Sequence, residues 1–246
     1  MIELPPGLEV GRDEDAEKEL MGRARKWIES DSAKREGIHA SDLLKPRQGY
    51  WKALDPQPLS DREVGLFLVG KVLHAFVLSE LQPGHVDIRS TDEGSKYSDR
   101  LGLWYSPDKL GGSTPIEFKT SRGMYPAKTV GDLETYLQQV LIYMAAEQSL
   151  EGRIVVCYTN AKDESNKTSP QFRVFTVSIS PDELQALTLG IRKARDELAD
   201  AITTRKYTAL PLCSAWLCHP EQCAWWAKCK PEGRYENHEY LKSKRR

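Results

Sequence analysis

The chain lacks any apolar run of about 18 residues, the length at which a membrane-spanning helix becomes a candidate, so no membrane partner is expected. Its first residues, MIELPPGLEVGRDEDAEKEL, carry neither a basic n-region nor an apolar h-region. No secretory signal is therefore expected, and a cytoplasmic protein is. It also lacks a dominant charge: 35 Lys and Arg stand against 36 Asp and Glu, a formal net charge of −1. No global basic field advertises nucleic acid, although balanced totals leave room for local patches such as the C-terminal LKSKRR. Internal repeats and long low-complexity stretches are absent. So is the C-x2-C pair of a zinc ribbon, although four of the five cysteines crowd into residues 213–229. In a reducing compartment such clustering points to metal rather than to disulfides.

What is present reads as an α/β (α+β) protein, a central mixed sheet flanked by helices, long enough to bury a good core. A charged helix is expected over about residues 15–30. SDREVGLFLVGKVLHAFVLSEL opens with a capping Ser60 or Asp61 and stays apolar to Leu81, before Pro83-Gly84, which predicts a buried helix. HVDIRS, YSDRLGLWY, TPIEFKT, RIVVCYT and FRVFTVSI read as strands, the SPDKLGGS turn making a hairpin of the second and third. GDLETYLQQVLIYMAAEQSL and SPDELQALTLGIRKARDELADAI have helical spacing, the latter with Ser180 and Glu183 as a capping box.

Within TPIEFKT an acid and a lysine stand two apart, so Glu117 and Lys119 project from one face of the strand while Ile116 and Phe118 project from the other. Such a pair is either a surface ion pair of little consequence or part of a site. Asp99, expected to open the preceding strand, would bring a second carboxylate to the same end of the sheet. Two carboxylates can hold a hard divalent cation, which lowers the pKa of a bound water and stabilises charge developing on a phosphate. Lys119 would position the attacking water or offset phosphate charge. Asp108, in the literal Pro107-Asp108 nine residues before Glu117, is the competing acid. Its place in a turn, where Asp and Gly are favoured, argues for Asp99 instead. His74 and Gly70 share a helix face, as do Gln139 and Tyr143. Each pair taken alone is ordinary core or amphipathic patterning.

Taken in order, GKVLH (Gly70 to His74), YSDRLG around Asp99, IEFKTS with Glu117 and Lys119, and QVLIY (Gln139 to Tyr143) resemble the RecB-like branch of the PD-(D/E)XK nuclease superfamily. The resemblance is greatest to its CRISPR-associated and phage iron–sulfur exonucleases, and IHASDLLKPRQGYWKAL resembles the segment that leads into their first core helix. It implies a restriction-endonuclease-like core with Mg2+ or Mn2+ on His74, Asp99, Glu117 and the Phe118 carbonyl. Lys119 would be the catalytic lysine, and Gln139 and Tyr143 would position the DNA strand and the catalytic groups. Arg122 and Lys128 are candidate phosphate contacts, with a solvated loop as the plain alternative for Arg122.

Cys213, Cys218, Cys223 and Cys229 follow the spacing C-x4-C-x4-C-x5-C, four thiolates that suit an iron–sulfur cluster, 4Fe-4S being favoured, or a zinc ion. Many iron–sulfur relatives take one ligand from the N-terminal segment. Here Lys45 and Pro46 occupy that place, so a self-contained C-terminal cluster is expected. Trp216, Trp225 and Trp226 of this cap would pack on the core, or stack on unpaired bases. Cys157 reads as a small buried hydrophobe.

The expected organisation is an N-terminal helical extension (1–37), a nuclease core (38–208) and a cysteine-rich metal-binding cap with a basic tail (209–246). The expected activity is metal-dependent exonucleolytic cleavage of DNA, acting on single strands or duplex ends, beside recombination, phage DNA-processing or CRISPR-adaptation proteins. A DNA-end-binding accessory protein that keeps the fold and cuts nothing is the alternative.

Overall fold

The structure, a computed structural model, describes residues 14–30, 36–81, 95–111, 113–163, 165–212 and 223–229. By internal contacts it divides into two units, Met1–Arg35 with Pro58–Val72, and Glu36–Gln57 with Leu73–Arg246.

The first unit holds helix α1 (Glu14–Ser30) and the first half of helix α4 (Asp61–Leu81). Ser60 caps α4: its hydroxyl accepts from the Glu63 backbone N–H, and the Glu63 carboxylate accepts from the Ser60 N–H at 2.8 Å. The Arg25 guanidinium donates to Asp61 at 2.6 Å. The expectation of a buried helix fails over this half, for Val64 is fully buried but Leu66, Phe67, Val69 and Val72 are exposed. A helix that is apolar all round carries more apolar surface than one neighbouring helix can cover.

The second unit begins with helices α2 (Ala40–Leu43) and α3 (Pro46–Leu54). Two short strands, β1 (Lys96–Ser98) and β2 (Leu103–Tyr105), pair antiparallel across a turn formed by residues 99–102. YSDRLGLWY is therefore not one strand but a complete hairpin. Gly102 sets the turn: its φ is +67°, and an added Cβ would stand 2.7 Å from the Arg195 guanidinium. Strand β3 (Lys109–Gly111) then pairs antiparallel with β4 (Thr114–Ser121). The SPDKLGGS segment thus contributes a strand as well as a turn. HVDIRS lies outside the described residues.

A 3₁₀ turn (Val130–Leu133) leads into helix α5 (Glu134–Glu147), which crosses back so that β5 (Glu151–Lys162) lies parallel to β4. Strand β6 (Thr168–Ser178) completes a mixed sheet of order β3-β4-β5-β6. Helix α6 (Pro181–Thr204) follows, with the expected Ser180–Glu183 capping box and Pro181 in its first turn. Helix α7 is the short turn Trp226–Cys229.

Helix α5 is apolar on nearly all sides because it is covered on two. Val140 and Met144 pack on the sheet residues Ile154, Val156 and Tyr158, while Ile142, Tyr143 and Ala145 pack against Leu101, Leu103, Leu184 and Ile191. Gly152 lets β5 approach this helix, since a Cβ there would stand 2.8 Å from Met144 Sδ. The other sheet face buries Phe118, Val155 and Cys157 with Leu73 of α4. Burial also pushes the Cys157 thiol pKa up, as fits a small core side chain.

Candidate active site

Strand β4 has one face for each side of this arrangement. Ile116 and Phe118 point into the apolar layer with Val155 and Cys157. Glu117, Lys119 and Ser121 point the other way, in register with Ile154, Val156 and Tyr158 of β5, toward α5. An apolar side chain at position 117 would suit that environment. A glutamate stands there, with its side chain 1% exposed.

Its carboxylate is poorly supported by the protein alone. Oε1 contacts the Lys119 ammonium, but neither oxygen accepts a hydrogen bond of normal geometry. Withdrawal from water raises the Glu117 pKa to about 8, with the Asp108 charge adding to the rise and Lys119 opposing it. Desolvation works against the Lys119 ammonium as well, but Glu117 and Asp108 outweigh it and hold its pKa above normal, at about 12. Lys119 is therefore a cation here. Its side chain remains 29% exposed, and its ammonium lies 6.0 Å from the centre of the Tyr136 ring.

The second acid of this cluster is Asp108, not Asp99. Asp108 is half-buried at the start of the β3–β4 hairpin, where its Oδ2 accepts the Phe118 backbone N–H at 2.6 Å. That bond fixes the carboxylate against the strand that carries Glu117 and Lys119. Asp99 is exposed in the β1–β2 turn, on a hairpin that does not pair with β4. The expected strand placement of Asp99 is thereby corrected. The physical reason is that Asp-Arg-Leu-Gly is itself a turn, closed by a glycine at positive φ, so Asp99 cannot open a strand alongside β4.

Gln139 and Tyr143 meet as expected for residues one helical turn apart: the Gln139 amide donates to the Tyr143 hydroxyl at 2.6 Å. Tyr143 is buried and its ring lies 6.2 Å from that of Tyr105. Tyr136, three residues before Gln139, is the residue of this helix shown against Lys119. Its phenol pKa is raised by burial, against the pull of Lys119. Helical spacing from Gln139 was the available signal for it. His74 follows Leu73 on α4, but its side chain lies outside the described part. Arg122 and Lys128 are exposed in the loop after β4.

Of the cysteine-rich segment, Cys213, Cys218 and Trp216 lie outside the described residues, while Cys223 and Cys229 are half-buried free thiols. This turn docks on α3 through Trp225, which the sequence offered as a packing residue, and through Arg47, Asp55 and Lys228, which it did not. Arg47 donates to the carbonyls of Leu210 and Thr208 and approaches Cys229 Sγ at 3.8 Å. The buried Trp225 donates its indole N–H to the Asp55 carbonyl at 2.8 Å, and Lys228 pairs with the Asp55 carboxylate. Trp225 thus packs on the core. Among the described residues no group of three or more His, Cys, Asp or Glu side chains converges as a metal site, and no helix is long and apolar enough to cross a membrane.

No protein-family model matches the chain, and no curated protein matches it. Among solved structures, the crystal structure of SSO0001 is similar with a TM-score of 0.56 at 16% identity, over 87% of this chain and 95% of that one. A phage related exonuclease from Haemophilus somnus 129PT is similar with a TM-score of 0.47 at 12% identity, over 72% of this chain and 99% of that one. The likeness to SSO0001 is one of fold and assigns no residue a role.

Proposed function

We propose that the chain is a divalent-metal-dependent deoxyribonuclease of the RecB-like PD-(D/E)XK kind, with Asp108, Glu117 and Lys119 as its reacting centre. One observation carries this reading: two carboxylates, one of them fully buried and without a hydrogen bond of normal geometry, converge with a single lysine, which leaves one negative charge that a bound cation would offset.

The donor set fits a hard cation: Glu117 and Asp108 supply carboxylate oxygens, the Phe118 carbonyl is on the same strand segment, and His74 remains a candidate. When bound, Mg2+ or Mn2+ would supply a water of lowered pKa and positive charge beside the scissile phosphate. The chain's own groups do the rest. Glu117, deprotonated in that state, anchors the cation. Asp108 is held in place by the Phe118 N–H. Lys119 stays protonated, offsets phosphate charge and orients the attacking water. The Tyr136 face keeps the ammonium from swinging into solvent. Gln139 and Tyr143, joined to each other, stiffen the helix that covers the site.

Labelled single- and double-stranded DNA incubated with Mn2+ tests the reading. Cutting is expected, and its loss in Lys119→Ala and Glu117→Ala with folding retained. Undiminished cutting by both variants removes the assignment.

We further assign Cys213, Cys218, Cys223 and Cys229 an iron–sulfur cluster, with zinc as the competing occupant, in a cytoplasmic protein. Arg47 beside Cys229 supports this, since a guanidinium within reach of a sulfur suits a thiolate that carries charge.

A further inference from the structure

A cleft of about 770 Å3 opens beside the site, between the loop that follows β4 and the first turn of α5. Ser121, two residues beyond Lys119 on the same face of β4, lines one end of it, and so does Tyr136, whose ring lies against the Lys119 ammonium. The cleft therefore lies beside the reacting centre, and its size falls within the range of about 300–1,000 Å3 usual for small-ligand pockets.

The loop on its rim is fixed on either side of Tyr125 and Pro126. The Met124 carbonyl accepts the Lys162 N–H at 2.8 Å, and the Ala127 N–H donates to the Tyr158 hydroxyl at 3.0 Å. Between these anchors Tyr125 is left 75% exposed. An aromatic ring on a backbone so anchored, and bare to solvent, is a stacking platform that has only its side-chain rotamer left to order on binding.

Charge decides what stacks there. The Asp132 carboxylate on the cleft wall is tied to the N–H groups of Lys128 and Thr129, and Glu134 stands nearby, so the interior repels a phosphate. Lys128 on the wall can meet a backbone phosphate from the side.

We infer that this cleft takes the base of an unpaired nucleotide adjoining the phosphate held at Asp108, Glu117 and Lys119, with Tyr125 stacked on it. The inference rests on the nuclease reading for the position of that phosphate. A base still paired in a duplex keeps its faces against its neighbours and cannot offer one to Tyr125, so the cleft selects frayed ends and single strands.

The test is a cycle between protein and DNA. A fluorescein-labelled oligothymidylate, and copies each carrying one abasic site, are bound to the wild type, Tyr125→Ala and Tyr125→Phe in Ca2+, followed by anisotropy. At one abasic position the wild type is expected to lose roughly tenfold in affinity while Tyr125→Ala, already about tenfold weaker on the intact strand, loses no more. Tyr125→Phe is expected to bind within about twofold of the wild type, because stacking needs the ring and not the hydroxyl. Identical abasic profiles for the wild type and Tyr125→Ala overturn the inference, as does failure of the wild type to bind the oligonucleotide. Cutting of the same strand in Mn2+, read in parallel, separates the two claims. Cutting without the coupling removes the cleft and keeps the nuclease; coupling without cutting keeps the cleft and removes the nuclease.

Discussion

Replacing Glu117 by glutamine should stabilise the metal-free protein, and by an amount that grows with pH. The Glu117 pKa is raised in the folded state from an ordinary 4.5 to about 8, chiefly by burial. Between those values the folded chain binds a proton that the unfolded chain has released, so stability is present below about pH 4.5 and is lost as the pH rises toward 8. Each pH unit in that window is worth at most about 1.4 kcal/mol, giving an upper bound near 5 kcal/mol across it. Relaxation and water entry reduce this, and a loss of about 2–4 kcal/mol by pH 8 is the expectation. Lys119 adds no slope there, because its pKa lies above the window in both states. Glutamine keeps the shape and carries no charge to desolvate. Urea denaturation in EDTA at pH 5, 6.5 and 8 should therefore show the variant matching the wild type at pH 5 and exceeding it by a few kcal/mol at pH 8. For a chain of this length that corresponds to roughly 5–15 °C in Tm. Mn2+ should close most of that gap by stabilising the wild type, about 2.7 kcal/mol at a hundredfold excess over its Kd, and leaving Glu117→Gln nearly unmoved. Wild-type and variant stabilities that run parallel with pH, or a glutamine variant that gains as much from Mn2+ as the wild type, would refute the reasoning.

Asp108→Ala should abolish Mn2+-dependent cutting whereas Asp99→Ala should leave it within about threefold; the opposite pattern on labelled DNA returns the second acid to Asp99. Gly102→Ala should cost about 1–3 kcal/mol in chemical denaturation, since it needs φ near +67° and space taken by Arg195. Protein prepared without oxygen should be brown, and alanine at Cys213, Cys218, Cys223 or Cys229 should bleach it while Cys157→Ala does not; stoichiometric zinc without iron or sulfide in elemental analysis would make the site a zinc knot. DNA affinity should fall steeply from 50 to 200 mM salt, and Lys128→Ala should lower the slope of log Kd against log salt by about one; an unchanged slope removes Lys128 from the phosphate contacts.

The sequence was most legible where one local rule decides the outcome. Ser180 with Glu183 marks the start of α6, and the alternation of TPIEFKTS places Glu117 and Lys119 on one face of β4; both follow from near-neighbour chemistry. Legibility failed where two rules competed over one segment. YSDRLGLWY has the aromatic and aliphatic content of a strand, yet its Asp and Gly close a turn, and the turn prevails because Gly102 alone can take the positive φ. The same competition misplaced Asp99 on a strand and Asp108 in a turn alone. Asp108 was set aside as a turn former, but a residue at a strand's entrance can do both jobs when its carboxylate caps a neighbouring backbone N–H, as it does at Phe118. The partners that Tyr136, Arg47 and Trp225 meet were invisible for another reason: each contact joins elements from distant parts of the chain, and no periodicity encodes it.

The parallel pairing of β4 and β5 explains why a carboxyl group is enclosed in this fold. A parallel pair requires a crossover, here α5, which closes over the β4–β5 face and excludes water from Glu117. An antiparallel hairpin at this point would have left that face open and the carboxylate at its ordinary pKa. The cover leaves Lys119 partly exposed, so the buried acid is in contact with a side chain that reaches solvent. Under the proposed nuclease reading a cation would bind against the same carboxylate that takes up the proton, so it would change the ionisation of Glu117, and the pH dependence of stability, measured before any substrate is known, would report on the site.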